Sequence, residues 1–129
     1  MTQKDKDLLL KDLCTRLPYG IKAEIKYYDD VWKLLAIYTN GTTYATRDVG
    51  YPIETCFEEC KPYLFPMSSM TEEQCDELYA ISELQLAFAP DMRIKVYKNT
   101  IEWFLKNHID YSGLIEKGLA IDATGLNIY

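Results

Sequence analysis

The sequence predicts an α+β fold: an antiparallel meander of three to four strands packed against an N-terminal helix and two C-terminal helices, in one domain spanning residues 1–129. Three observations predict it. Apolar residues recur at three and four residue spacing from Leu9 to Leu17, the period changes to two from Ile21, and Asn40-Gly41 stands between two alternating runs.

The first helix is expected over residues 3–16. Thr2 supplies the cap, Asp5 and Asp7 suit the positive end of the dipole, and Leu9, Leu10, Leu13, Cys14 and Leu17 make the apolar stripe. Pro18 and Gly20 stop it. Ile21, Ala23, Ile25 and Tyr27 then alternate with polar partners as a strand with one buried face. Tyr28, Asp29 and Asp30 turn the chain into Val31 to Thr39, apolar on both faces and therefore central. Asn40 and Gly41 both tolerate positive φ, which predicts a type I′ turn into the strand "TTYATR". After the turn cluster "DVGYP", Ile53 to Cys60 is the fourth strand if the meander extends, with Ile53, Thr55 and Phe57 on one face.

Pro62 and Pro66 cannot donate to a ladder, so residues 61–70 read as an extended connector crossing the surface. Thr71 and Gln74 have capping-box spacing, with Met70 and Cys75 at the staple positions. The helix they open, residues 72–82, is expected to bury Cys75, Leu78, Tyr79 and Ser82, and "ELQLAFAP" leads to a stop at Pro90. Asp91 caps a third helix to about Asn107, with Tyr97, Ile101, Phe104, Leu105 and His108 as its stripe and Trp103 off it. The tail gives a helical turn near Leu114 to Lys117, closed by Gly118, and then irregular or short extended chain.

Composition narrows the function. A net charge of −6 with scattered basic residues disfavours phosphate-backbone binding, and no nucleic-acid role is expected. No apolar stretch reaches the roughly 20 residues of a membrane span, and "MTQKDKDLLL" is no secretory signal, so a cytoplasmic location is expected. The four cysteines are then reduced thiols, Cys14 and Cys75 acting as small hydrophobes. Cys56, Cys60 and His108 lack the paired spacing of structural zinc, so no metal and no cofactor is expected. His108, the only histidine, stands two residues before Asp110, but no nucleophile is marked for it, and capping a helix C-terminus explains it more simply. No catalytic residue is assigned.

The eleven tyrosines are more informative. Tyr27, Tyr79 and Tyr97 fit a core, whereas Tyr28, Tyr38, Tyr44, Tyr51, Tyr63 and Tyr111 fall at strand faces, turns or loops. Tyrosine gives contact area and a polar handle at low entropic cost, which suits recognition; a sheet enriched in β-favouring aromatics explains the same residues.

The stretches "MTQKDKDLLLKDLCTRLPYGIK", "KPYLFPMSSMTEEQ" and "NHIDYSGLIEKGLAIDATGLNIY" resemble a family of uncharacterised short proteins encoded by anaerobic gut bacteria and their phages or mobile elements. The resemblance spans nearly half the chain and carries no functional residues. It implies a cytosolic accessory protein that acts on a host or rival component. The expected function is a non-catalytic binding protein of a phage or mobile element, recognising a host protein through Tyr38, Tyr44, Tyr51 and Tyr63. The alternative is a small-ligand binder that sequesters a metabolite or nucleotide, and a third reading is a hydrolase or transferase using His108 with Asp110.

Overall fold

In a computed structural model the chain has the expected α+β architecture, with more strands than the sequence suggested. The structure describes residues 1–83 and 90–129, and the side chains of 1–81 and 95–129. The elements are α1 (Gln3–Arg16), β1 (Lys22–Ile25), β2 (Trp32–Ile37), β3 (Thr42–Thr46), β4 (Ile53–Cys56), β5 (Cys60–Pro66), α2 (Glu72–Glu83), α3 (Pro90–Lys106), β6 (Ile109–Asp110) and β7 (Ile121–Asp122). Short 3-10 turns occupy Leu17–Tyr19, Phe57–Glu59 and Met67–Ser69.

The sheet order is β4-β3-β2-β1-β5-β6, antiparallel as far as β5, with β6 and β7 both pairing in parallel to β5. Four strand spacings separate β4 from β5 along this order, about 19 Å in a flat sheet. Yet only the three residues Phe57–Glu59 join Cys56 to Cys60, a reach of about 14 Å at most. The sheet therefore curls toward a small barrel. Two hydrogen bonds fasten the closure, Phe57 N–H to the Gly41 carbonyl at 3.1 Å and Lys26 N–H to the Glu59 carbonyl at 3.0 Å.

Several expectations need correction. The "KPYLFP" stretch is not a surface connector but the interior strand β5, with Leu64 fully buried. Its prolines survive there because Pro62 stands opposite Ala23 where the ladder is about to end, and Pro66 is the last residue of the strand. Donation is kept where it is needed, from Phe65 N–H to the His108 carbonyl at 2.8 Å. The Asn40-Gly41 turn is a three-residue loop rather than a type I′ turn. Gly41 N–H bonds the Tyr38 carbonyl at 2.9 Å, and only Gly41 has positive φ, at 89°. Such a type I turn followed by one left-handed residue also matches the strand twist. The strand Val31 to Thr39 shortens to β2 and buries one face only, since Leu35 is 49% exposed. Ile53 to Cys60 splits into β4, the 3-10 turn and the start of β5.

The helices keep their spans but are rotated. The buried stripe of α1 is Leu9, Asp12, Leu13 and Arg16, which turns Cys14 to solvent. On α2, Leu78 and Ile81 pack while Cys75 and Tyr79 are exposed; Met70, at the first staple position, joins their cluster, whereas Cys75, at the second, faces solvent. On α3, Val96, Trp103, Phe104 and Leu105 are buried and Tyr97 is exposed, which reverses the reading of Tyr97 and Trp103. Trp103 is accommodated by donating its indole N–H to Glu77 Oε2 at 3.1 Å while packing on Phe104. The α3 helix begins at Pro90, so Asp91 stands inside its first turn; the side chains of Ser82 and Asp91, and residues 84–89 of "ELQLAFAP", lie outside the described residues.

The capping box is present. Thr71 N–H donates to Gln74 Oε1 at 3.0 Å and Gln74 N–H to Thr71 Oγ1 at 3.1 Å. Thr71→Ala is expected to cost about 1 kcal/mol, read as a lower urea midpoint at unchanged slope. The turn after Gly113 also forms as expected: Leu119 N–H reaches the Leu114 carbonyl at 2.9 Å and Gly118 N–H the Ile115 carbonyl at 3.0 Å, with Gly118 at φ 72°. Beyond this turn the chain takes the short extended form expected as one of the two for the tail, strand β7.

Alternation along β5 places two cores on its two faces. Leu64 enters the barrel interior with Ile21, Ala23, Ile25, Trp32 and Leu34, under α1. Phe65 enters a second cluster with Trp103, Phe104 and Ile109 below α2 and α3. Among the described residues no helix is long and apolar enough to cross a membrane.

Candidate functional site

The structure separates the four tyrosines singled out for recognition. Tyr38 and Tyr44 meet edge to face, ring centroids 5.3 Å apart, at the tip of the β2–β3 hairpin. Glu54, the cross-strand neighbour of Tyr44, raises its phenol, with burial a lesser cause. Tyr51 is 91% exposed, but it lies in the β3–β4 loop at the opposite end of the same hairpin. Tyr63 is half-buried on β5, and burial raises its phenol.

Two further tyrosines, not paired by the sequence reading, complete the aromatic end. Alternation along β1 predicts Tyr27 in the core. It has instead φ 71° and is 84% exposed, because β1 ends at Ile25 and the chain turns. Beside it Tyr28 packs edge to face on Trp32 at 5.9 Å. The signal lies in the sequence: "YYDD" is a turn composition. Tyr27, Tyr28 and Asp29 line a cavity of about 630 Å³ with Glu58 and Glu59 of the 3-10 turn and with Glu24, Lys26 and Lys61; Glu58 is itself paired with Lys6 at 3.4 Å. That turn is tied to Gly41 of the hairpin tip on one side and to Lys26 on the other. Two aromatic pairs, Tyr27 with Tyr28 and Tyr38 with Tyr44, thus flank one acidic turn.

A second cavity of about 490 Å³ lies where the β3–β4 loop faces residues 126–128, and Lys22, Lys33 and Arg47 line it with Asp30 and Asp48. Arg47 is occupied, 3.7 Å from Asp30 and donating to the Val49 carbonyl at 2.8 Å. Lys33 has no ion-pair partner among the described residues.

His108 does not join Asp110 in a catalytic pair. The two oxygens of Asp110 accept the N–H groups of Leu114 at 3.0 Å and Ile115 at 2.9 Å, holding the turn that follows β6. Nor does His108 cap a helix with its ring. Its backbone takes φ 56°, its imidazole stacks on Tyr129 with centroids 3.6 Å apart and planes 9° from parallel, and Nδ1 is buried with no partner among the described residues. Burial, with smaller contributions from Arg16 and Lys22, lowers its pKa from 6.5 to about 4. Protonation is therefore easier in the unfolded chain. The stabilisation is complete above pH 6.5 and drains away as pH falls toward 4. Allowing for the partial exposure of the ring, wild-type protein should lose on the order of 2 kcal/mol more than His108→Asn between pH 7 and pH 4.5 in urea titrations. Parallel pH profiles for the two proteins would contradict this.

Cys56, Cys60 and His108 do not converge. Cys60 Sγ lies 3.7 Å from the Cys56 carbonyl at the start of β5, whereas His108 contacts the Phe65 end of that strand, about 16 Å along it. Burial pushes the Cys60 thiol up to about 12. That shift runs opposite to the one a nucleophilic thiolate needs.

The largest buried polar feature among the described residues is Asp12 with Arg16. Arg16 Nε donates to Asp12 Oδ2 at 2.7 Å and Nη2 to the Ile109 carbonyl at 2.7 Å, with the guanidinium 5.2 Å from the Tyr111 ring centroid. Asp12 Oδ1 and Arg16 Nη1 have no partner among the described residues. Burial raises the Asp12 carboxyl more than Arg16 lowers it. Compared with family models, curated proteins and solved structures, the chain matches none.

Proposed function

We propose that this chain is a non-catalytic binding protein that grips a basic segment of a partner protein at its aromatic, acidic end. The observation that supports this reading is the cavity of about 630 Å³ in which exposed Tyr27 and Tyr28 stand against Glu58 and Glu59. Exposed aromatic rings supply contact area. Lys26 already stands over the Tyr27 ring at 5.1 Å and Lys61 lines the same wall, but the carboxylates of Glu24, Asp29, Glu58 and Glu59 outnumber these lysines, which favours Lys and Arg over acids. The Tyr38–Tyr44 pair extends the same surface; Tyr51 and Tyr63 lie outside it. The family resemblance of the sequence is in keeping with such binding in an accessory role for a phage or mobile element.

The test is affinity capture from a host lysate, followed by reconstitution with the purified captured protein. Tyr27→Ser/Tyr28→Ser should weaken the reconstituted complex at least about tenfold, and Glu58→Lys/Glu59→Lys comparably, while Tyr97→Ser on α3 leaves it unchanged. A complex indifferent to both double substitutions would refute the reading.

A second reading, a small-ligand binder, is favoured by one observation: Lys33, without an ion-pair partner among the described residues, stands beside Lys22 in the cavity walled by residues 126–128. Its test is a thermal-shift series with small carboxylates and phosphates, in which Lys33→Ala abolishes any stabilisation.

A further inference from the structure

Segment 126–129 walls two cavities at once. Leu126 and Ile128 border the one of about 490 Å³ with Lys22 and Lys33, and Tyr129 borders one of about 480 Å³ with His108, Phe65 and Asn107. Tyr129 anchors the segment. Its hydroxyl accepts from Lys22 N–H at 3.0 Å and donates to the Tyr63 carbonyl at 2.8 Å, and burial raises the phenol to about 12.

The place of those two bonds is unusual. The β1–β5 register runs Ile25 with Cys60, Glu24 with Lys61 and Ala23 with Pro62, so the next step would set Lys22 against Tyr63. The strands part there, and a phenol hydroxyl sits between a donor and an acceptor that an ordinary ladder would join directly. One oxygen that both accepts and donates fits this gap. The ring behind it lies flat on the His108 imidazole, and Lys22 Nζ approaches to 5.8 Å from its centroid. Beyond the ring, Lys22 Nζ donates to the Ile128 carbonyl at 2.9 Å. That bond joins a cation to a neutral acceptor, with Lys33 lining the same cavity; a carboxylate in place of the carbonyl would make it an ion pair, charged on both sides.

We propose that the Tyr129 position is a binding slot for a small phenolic carboxylate, filled in cis by Tyr129 and opened when a free ligand displaces it. The hydroxyl of the ligand takes the Lys22 N–H and the Tyr63 carbonyl, its ring takes the His108 face, and its carboxylate takes Lys22 Nζ. This rests on the small-ligand reading and names its ligand class; no part of it uses the Tyr27–Tyr28 surface.

The probes are 4-hydroxyphenylacetate and phenylacetate, titrated calorimetrically into the full chain and into Tyr129→Gly. The variant should bind the hydroxylated acid at least about tenfold more tightly than phenylacetate, because only its hydroxyl meets the Lys22 N–H and the Tyr63 carbonyl, two partly buried main-chain groups that Tyr129 otherwise joins. Wild-type protein should bind the same acid more weakly than the variant, since its own Tyr129 competes. As the only histidine, His108 gives a second readout on the wild type: its ring proton resonances should shift as 4-hydroxyphenylacetate replaces Tyr129 but not with phenylacetate. That measurement decides the matter even if Tyr129→Gly folds poorly. Equal affinity of the variant for both acids would overturn the slot while leaving the small-ligand reading standing. Absence of binding to the variant, or an unmoved His108 signal in the wild type, would reduce Tyr129 to a fixed anchor and overturn it as well.

Discussion

Arg16→Ala is expected to lower stability by about 3 to 5 kcal/mol, a fall in Tm of roughly 10 to 20 °C for a chain of this size. The cause is what the substitution leaves behind. Asp12 would remain buried with neither oxygen partnered, and the Ile109 carbonyl would lose its donor. The pH dependence carries the signature. In the variant the Asp12 carboxyl rises further above its unfolded value, so the penalty is full near pH 7 and shrinks as pH falls and the group becomes neutral. Replacing both partners, Asp12→Leu with Arg16→Met, should restore stability to within about 1 kcal/mol of wild type, because the pair holds unmet hydrogen-bonding capacity that apolar groups do not have. Chemical denaturation of the three proteins at pH 7 and pH 5 checks all of this; a single-variant loss below about 1 kcal/mol would show that the site relaxes to admit water.

Leu64→Ala should cost about 3 to 4 kcal/mol. Leu64 is fully buried in the barrel core, on the strand that pairs with β1, β6 and β7. A cavity there faces rigid ladders on both sides and has little room to collapse. Leu35→Ala makes the contrast, since Leu35 projects from the open face of β2 and its loss should fall within about 0.5 kcal/mol. Similar losses at the two positions would mean that the buried face of the sheet has been misassigned.

Periodicity locates α1, α2, α3 and the β1–β3 meander, because those elements repeat their pattern over several residues. It does not give the rotation of the helices. Asp12 and Arg16 read as polar and so as outward, yet their mutual pairing carries both inside and turns Cys14 out. For β5 the rule that prolines avoid ladders misleads, because the rule concerns N–H groups that a strand needs, and Pro62 and Pro66 fall where none is required. The two-residue strands β6 and β7 have no period to detect. They exist only through bonds to β5, made across 40 residues or more of sequence. The aromatic end is half legible: Asn40-Gly41 places Tyr38 and Tyr44 at a hairpin tip, whereas alternation carries Tyr27 one step too far.

The pairing of β5 sets an order of events for a chain emerging from a ribosome. When residue 66 is out, the first half of this strand can zip to β1, but its bonds to β6 and β7 wait for residues 109–122, some 40 to 55 positions later. At translation rates of about 5 to 20 residues per second that is an interval of several seconds in which the Tyr63 to Pro66 end of the strand is unpaired. During it the nascent polypeptide presents the kind of edge that sticks to its neighbours.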